Sequence, residues 1–329
     1  MKMFVPVAIT DTNLISSTVP ETETGLSVWS AATTYAAGQR CFMTTGIHKI
    51  YESVAGGNLN HNPSTTTSYW LEVSATNRWK MFDQATGTTT QSTTDIVLEF
   101  AIPSGSYINY LAILDITGGT NVKVEIWSSS GTGGNLPLDE DTEMTDDLEL
   151  AGSGLLWSTE QSLLYWSDTV APDWYWYFFS PTSALNSIVI PNLPNHYDSI
   201  LRVTIETELS SLSVGSVLFG TAQDVGETQW GVNLGLMSFS RKETDEFGTT
   251  KVVARGFART MSCDAFLTNS EITRIYRLLS GVKDIPVVWM GSELSLFDST
   301  IIYGFYNSFN IILEGAGGSY CSLEIEGLS

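Results

Sequence analysis

Hydrophobic and polar positions alternate in short runs along most of this chain. In NVKVEIW (121–127), Val122, Val124 and Ile126 fall on one face and Lys123 and Glu125 on the other, the period of two that a strand requires. ILRVTIETEL (200–209) repeats it, with Leu201, Val203 and Ile205 opposed to Arg202, Thr204 and Glu206. DIVLEFAI (95–102), YLAILDI (110–116), PVVWMG (286–291), TIIYGFYNSFNIIL (300–313) and YCSLEIEG (320–327) read as further strands. GLMSFSRKETDEFGTTKVVARGFA (235–258) reads as two strands around a polar connection that ends in Phe247-Gly248. Only one segment has the helical period. Ile272, Ile275, Tyr276 and Leu279 form its apolar stripe, Thr268 and Glu271 have capping-box spacing, and Gly281 is placed to close it. The pattern predicts a mainly β chain with one helix over about 268–281.

Four segments follow from the turn and linker signals. Residues 1–24 read as an N-terminal arm and linker, in which FVPVAI is a strand that docks elsewhere and SSTVPETETG is polar. Residues 25–75 form a small compact unit with strands around QRCFMTT and KIYESV. A unit of that size is near the lower limit for a core, so its aromatics must supply most of it. Residues 77–209 carry many short strands with glycine turns and predict a β-sandwich, jelly-roll-like in character. Residues 210–329 predict a β-barrel or sandwich-like assembly unit containing the helix.

Composition narrows the chemistry. Of 329 residues, 43% are hydrophobic and only 16% charged, a mixture that suits packed strands joined by polar turns. The formal charge of −21 opposes binding to nucleic acid or to an anionic membrane surface. No run of apolar residues is long enough to span a bilayer, and MKMFVPVAITDTNLI lacks the features of a signal peptide. Cys41, Cys263 and Cys321 are far apart and odd in number, so a disulfide framework is not expected. His48, His61 and His196 are the only histidines, and no zinc spacing, GxSxG elbow or phosphate loop occurs. The sequence therefore implies no cofactor, no metal and no catalytic residue. Seven acids lie between Asp139 and Glu149 without EF-hand spacing, the pattern of a solvated loop. WYWYFF (174–179) has both faces aromatic: Trp174, Trp176 and Phe178 share one, which predicts a doubly buried strand or a subunit contact.

In the first unit, Trp29, Tyr35, Gly38, Tyr51 and Trp70 recur in an order that resembles the chitin-binding modules of carbohydrate-binding families 5 and 12. The resemblance covers about fifty residues of the chain and implies a small three-stranded fold. Those modules stack exposed rings on sugar faces. Here the position of their exposed aromatic pair reads Ser53-Val54-Ala55-Gly56-Gly57. Trp29, Tyr51 and Trp70 are therefore expected in the core, and Asn60, His61 and Tyr69 in the last loop become the candidate sugar contacts, an aromatic face with polar tips.

The stretch from Gly231 to Gly291, with IIYGFYNSF and CSLEIEGL after it and NRWKMFD and YLAILDI before it, resembles structural proteins of bacteriophage tails near the tail tip or baseplate. That resemblance implies a virion protein, made without an export signal, that builds a ring with copies of itself and contacts other tail proteins. The first unit would then project outward toward host surface glycans. The alternative is a polysaccharide depolymerase with an appended sugar-binding module, which needs two acids roughly 5–10 Å apart across a cleft.

Overall fold

The computed structural model describes all residues except 45, 86, 103–106, 129–154, 166–182, 185, 195–198, 245–249, 254–255, 293–298, 316 and 329. The acidic run, WYWYFF with Trp174, Trp176 and Phe178, and His196 lie outside the described residues.

The chain is mainly β, built from antiparallel sheets with one short α-helix. The N-terminal segment contributes β1 (Lys2–Pro6) and β2 (Leu14–Ser17). The small unit contains β3 (Ser27–Val28), β4 (Thr34–Tyr35), β5 (Arg40–Phe42), β6 (Lys49–Ser53), β7 (Asn58–Leu59) and β8 (Trp70–Ala75). After a 3-10 turn (Asn77–Phe82) come β9 (Thr90–Ser92), β10 (Ile96–Ala101), β11 (Tyr110–Leu114), β12 (Asn121–Ser128), β13 (Leu155–Ser162), β14 (Leu164–Tyr165), β15 (Ser183–Ala184), β16 (Ile188–Pro191), β17 (Ser199–Glu206), β18 (Leu212–Val214) and β19 (Ser216–Asp224). The remainder is β20 (Glu227–Thr228), β21 (Asn233–Ser238), β22 (Arg241–Thr244), β23 (Thr250–Val253), β24 (Phe257–Leu267), α1 (Ile272–Gly281), β25 (Val287–Met290), β26 (Ile301–Gly315) and β27 (Gly318–Gly327).

A ten-stranded sheet runs in the order β16-β11-β19-β1-β25-β26-β27-β24-β20, with β21 also paired to β24. A five-stranded sheet, β13-β12-β17-β10-β2, lies opposite its first part. The apolar faces expected from the sequence meet between them. Leu98, Phe100, Val122, Val124, Leu201, Val203 and Ile205 from the smaller sheet pack with Leu111, Ile113 and Phe219 from the larger.

Two findings go beyond the local pattern. First, β1 is central. It pairs with β19 from Lys2↔Asp224 to Pro6↔Gly220 and with β25 from Lys2↔Met290 to Phe4↔Val288. The segment read as an arm thus stitches the middle of the chain to its C-terminal part, while β2 pairs with β10 in the other sheet. Second, the large sheet is continuous across residue 210, where the sequence places a division: β11 and β19 share it with β24–β27.

The C-terminal core lies under α1, whose Ile275 and Leu279 pack with Met261, Trp289, Cys321 and Leu323. Half of the expected capping box forms. Glu271 accepts the Thr268 N–H at 3.3 Å and its hydroxyl at 2.6 Å. The Thr268 hydroxyl is thereby spent on the carboxylate and caps no helix N–H. These two bonds hold the Glu271 carboxyl below the usual carboxylate range. Gly281 is the last helical residue, and the Val282 N–H closes on Leu279 O at 3.3 Å. The polar connection inside 235–258 is itself a hairpin, β22 paired with β23.

Among the described residues no helix is long and apolar enough to cross a membrane. All three cysteines are buried and free. Burial disfavours the thiolate and pushes each thiol up to about 11. A thiol-reactive dye at neutral pH is therefore expected to label none of them in the native chain and all three once urea unfolds it. Stoichiometric labelling without denaturant would contradict the packing described here.

Candidate functional site

In the small unit, β5, β6 and β8 form an antiparallel sheet, with the two-residue β3 parallel to β5 at its edge. β4 pairs with β7 across the end. Gly38 has φ +79° in the turn before β5, a conformation that L side chains rarely adopt. Tyr35, Cys41, Tyr51 and Trp70 make the core, with Trp29 half-buried against them. Tyr35 and Trp70 meet edge to face at 5.0 Å, and Tyr35 Oη accepts the Ser30 N–H at 2.9 Å. Burial raises the phenols of Tyr35 and Tyr51 above their usual range. Tyr35, Tyr51 and Trp70 are buried and hold the unit together, whereas Trp29, expected in the core with them, is only half-buried at its margin.

The three candidate contacts lie in the loop between β7 and β8, and two are in direct contact. His61 and Tyr69 are stacked, with ring centroids 3.6 Å apart and planes 11° apart. Asn58, fully buried, organises this pair. Its Nδ2 donates to Ser53 Oγ at 2.9 Å and to Tyr69 O at 3.4 Å. A backbone carbonyl only accepts, so Nδ2 must face Tyr69 O and Oδ1 must face the ring. Oδ1 is 3.0 Å from His61 Nδ1, which assigns the Nδ1–H tautomer to the neutral ring and leaves Nε2 as an acceptor. Trp70 Nε1–H donates to His61 O at 2.9 Å, so the core ring fixes the loop from below. Asn60 is exposed at φ +58° beside them. Asn58 is the residue that sequence reasoning missed; its signal is the small polar residue directly after AGG, a turn position that commonly serves as a hydrogen-bonding hub.

A second surface lies on the C-terminal unit. In the β24 pairing, Leu234 stands opposite Met261 and Leu236 opposite Arg259. Met261 faces the core under α1, and residues two apart on a strand share a face. Leu234, Leu236 and Phe257 therefore continue the core face, yet Leu236 is 70% and Phe257 54% exposed. The cause is length: α1 has 10 residues, ~15 Å, against ~35 Å for β24, so the helix covers only part of the strand. Next to this wing, Trp230 is 95% exposed. Among the described residues no strand pairs the outer edge of β21. Beyond Gly304, β26 likewise pairs only with β27, and Leu313 there is 73% exposed.

Acids that meet in the sandwich are otherwise engaged. Glu99 and Glu125 flank Arg202 on adjacent strands, Glu99 at 2.7 Å and Glu125 at 3.9 Å, and both are buried. Among the described residues, no group of three or more His, Cys, Asp or Glu is placed to hold a metal ion. In a scan against known protein families no family model matches this chain, and a search of curated proteins finds no significant match.

Proposed function

We propose that this chain is a structural component of a bacteriophage tail, at the tip or baseplate, that associates with copies of itself in a ring and with other tail proteins. The observation that carries this reading is the uncovered wing of the C-terminal sheet. Among the described residues it presents two open strand edges, at β21 and at the distal half of β26. Exposed sheet edges with apolar side chains are templates for pairing with another chain. Both edges are also uncharged: WGVNLGLMSFS (230–240) and FYNSFNIIL (305–313) contain no Asp, Glu, Lys or Arg in a chain of net charge −21. Two copies that repel elsewhere avoid that repulsion where these edges meet. The small unit, with its stacked His61–Tyr69 pair and the Asn60 amide beside it, is read as the part turned toward host glycans. A polysaccharide chain that repeats along a surface is bound by many weak copies through effective concentration.

Sedimentation of the purified chain tests the reading. The wild type is expected to form a closed oligomer at ~10 μM, an ordinary range for interfaces of about 800 Å² per partner. Leu236→Asp and Phe257→Asp place a charge on the wing and are expected to return the chain to a folded monomer. A wild type that stays monomeric, alone and in the presence of tail particles that lack it, would remove the basis of the proposal.

A further inference from the structure

The small unit carries no net charge in a chain of −21. Between residues 25 and 75 the only bases are Arg40 and Lys49, and the only acids are Glu52 and Glu72. They pair off on β5, β6 and β8: Arg40 Nε lies 2.8 Å from Glu52 Oε2, and Lys49 Nζ lies 2.7 Å from Glu72 Oε1. The stretch that carries the stacked rings, Val54 to Trp70, has no Asp, Glu, Lys or Arg. Its polar groups differ in what they already bind. Asn62 Oδ1 accepts the Ser64 N–H at 3.0 Å and the Ser64 hydroxyl at 2.8 Å, which closes the turn after it. Asn58 is engaged with Ser53, Tyr69 O and His61. His61 Nδ1 faces the buried Asn58, so Nε2, on the far edge of the ring, is turned away from the interior. Among the described residues Nε2 has no partner. Asn60, next to it, is exposed.

The loop therefore offers an uncharged surface: a ring pair, an imidazole lone pair and the Asn60 amide. The lone pair is the selective element. With Nδ1–H held by Asn58 Oδ1 at 3.0 Å, Nε2 of the neutral ring only accepts. A hydroxyl or an amide N–H satisfies it, whereas a ligand carboxylate or phosphate oxygen set against it is repelled. Such an anion would also give up its water with no cation to meet it, since Arg40 and Lys49 are already paired. We infer that His61 is the specificity-determining residue of this loop, taking on Nε2 the hydroxyl or amide proton of an uncharged glycan unit, and that Asn58 is a positioning residue that fixes the tautomer this requires. The inference rests on the reading of the small unit as the part turned toward glycans, and it narrows that reading to neutral sugars. Uronic acids, sialic acids and phosphorylated sugars are selected against.

Imidazole nitrogen resonances of the full-length chain, labelled with nitrogen-15 histidine, report the tautomer, and His61→Phe identifies the His61 signals. In mildly alkaline solution, with the ring neutral, His61 is expected to show a protonated Nδ1 and a bare Nε2, the tautomer that Asn58 imposes. In Asn58→Ala that preference is expected to disappear and glycan binding to weaken with it. The probes are cellotetraose, mannotetraose and chitotetraose, which are uncharged, and tetragalacturonate and sialyllactose, which are anionic. At least one uncharged probe is expected to bind and to move the Nε2 resonance, and the anionic probes to bind about tenfold or more weakly than it does. His61→Phe keeps a ring to stack on Tyr69 but has no acceptor, and is expected to weaken the uncharged probe by about tenfold. If no probe binds, the glycan reading falls and the inference falls with it. Anionic probes that bind as tightly as the uncharged ones, a protonated Nε2 in the wild type, or an Nε2 resonance left unmoved by a bound sugar would overturn the inference alone.

Discussion

Phe4→Ala is expected to lower the stability of the chain by about 3–5 kcal/mol, the range for truncating a fully buried phenylalanine. Phe4 is 0% exposed, and its ring lies 6.4 Å from that of Tyr110. It packs with Leu218 on one side and Val288 on the other. Its backbone partners are Ala222 in β19 and Val288 in β25, so the loss falls on the junction between the two halves of the large sheet. Val5, one position on, is 40% exposed, and Val5→Ala is expected to change stability by less than ~1 kcal/mol. Equilibrium unfolding in urea measures both. If residues 1–6 were a mobile arm, the two variants would behave alike, and a cost for Phe4→Ala below that of Val5→Ala would dismiss the central placement of β1. Deleting residues 1–6 should be worse than either substitution. It strips the partner from β19 and β25 together and exposes two apolar strand edges, the condition for aggregation.

Arg202→Met is expected to cost a similar amount, about 3–5 kcal/mol, because it strands buried carboxylates. Glu99, Arg202 and Glu125 are direct cross-strand neighbours on β10, β17 and β12. Arg202 donates from Nε and Nη2 to Glu99 Oε1 at 3.0 and 2.7 Å. Ser16 Oγ donates to the other Glu99 oxygen at 2.7 Å, and Lys123 Nζ is 3.0 Å from Glu125. The guanidinium also lies over the Trp127 ring, 5.3 Å from its centroid. Glu99 is only 4% exposed and Glu125 only 5%, so neither recovers its hydration when the cation goes. Arg202→Lys is expected to fall between wild type and Met, since a single ammonium cannot reproduce the paired donors. Adding Glu99→Gln to Arg202→Met removes one stranded charge and should restore part of the loss. Urea midpoints for the four proteins check the series; a cost for Arg202→Met under ~1 kcal/mol, the value typical of an exposed pair, would show that water reaches these groups.

The same residues mark how far local pattern carries. Alternation placed Lys123, Glu125 and Arg202 on the face opposite Val122, Val124, Leu201 and Val203, and the structure puts them there. It gave no sign that this second face is also closed to water at Glu99 and Glu125. A period of two reports which side chains share a face, and nothing about what covers that face. The small unit shows the opposite balance. Tyr51 and Trp70 were legible as its core because about fifty residues must draw most of a core from their aromatics, while Trp29, expected with them, stays half-buried. The stacking of His61 on Tyr69 was not legible, since it depends on Asn58 gripping the loop from inside.

The sequence by itself determined the mainly β class, the strands of the sandwich, the single helix and the place of Tyr51 and Trp70 in the core of the small unit. Each follows from neighbours a few residues apart or from composition. Only the tertiary structure decided that Lys2 pairs with Asp224, that one sheet crosses residue 210, and that the β21 wing extends past its helix. These depend on contacts between distant segments, where the strength of any one pairing is set by which surfaces remain uncovered after the rest have packed, and no local period records that.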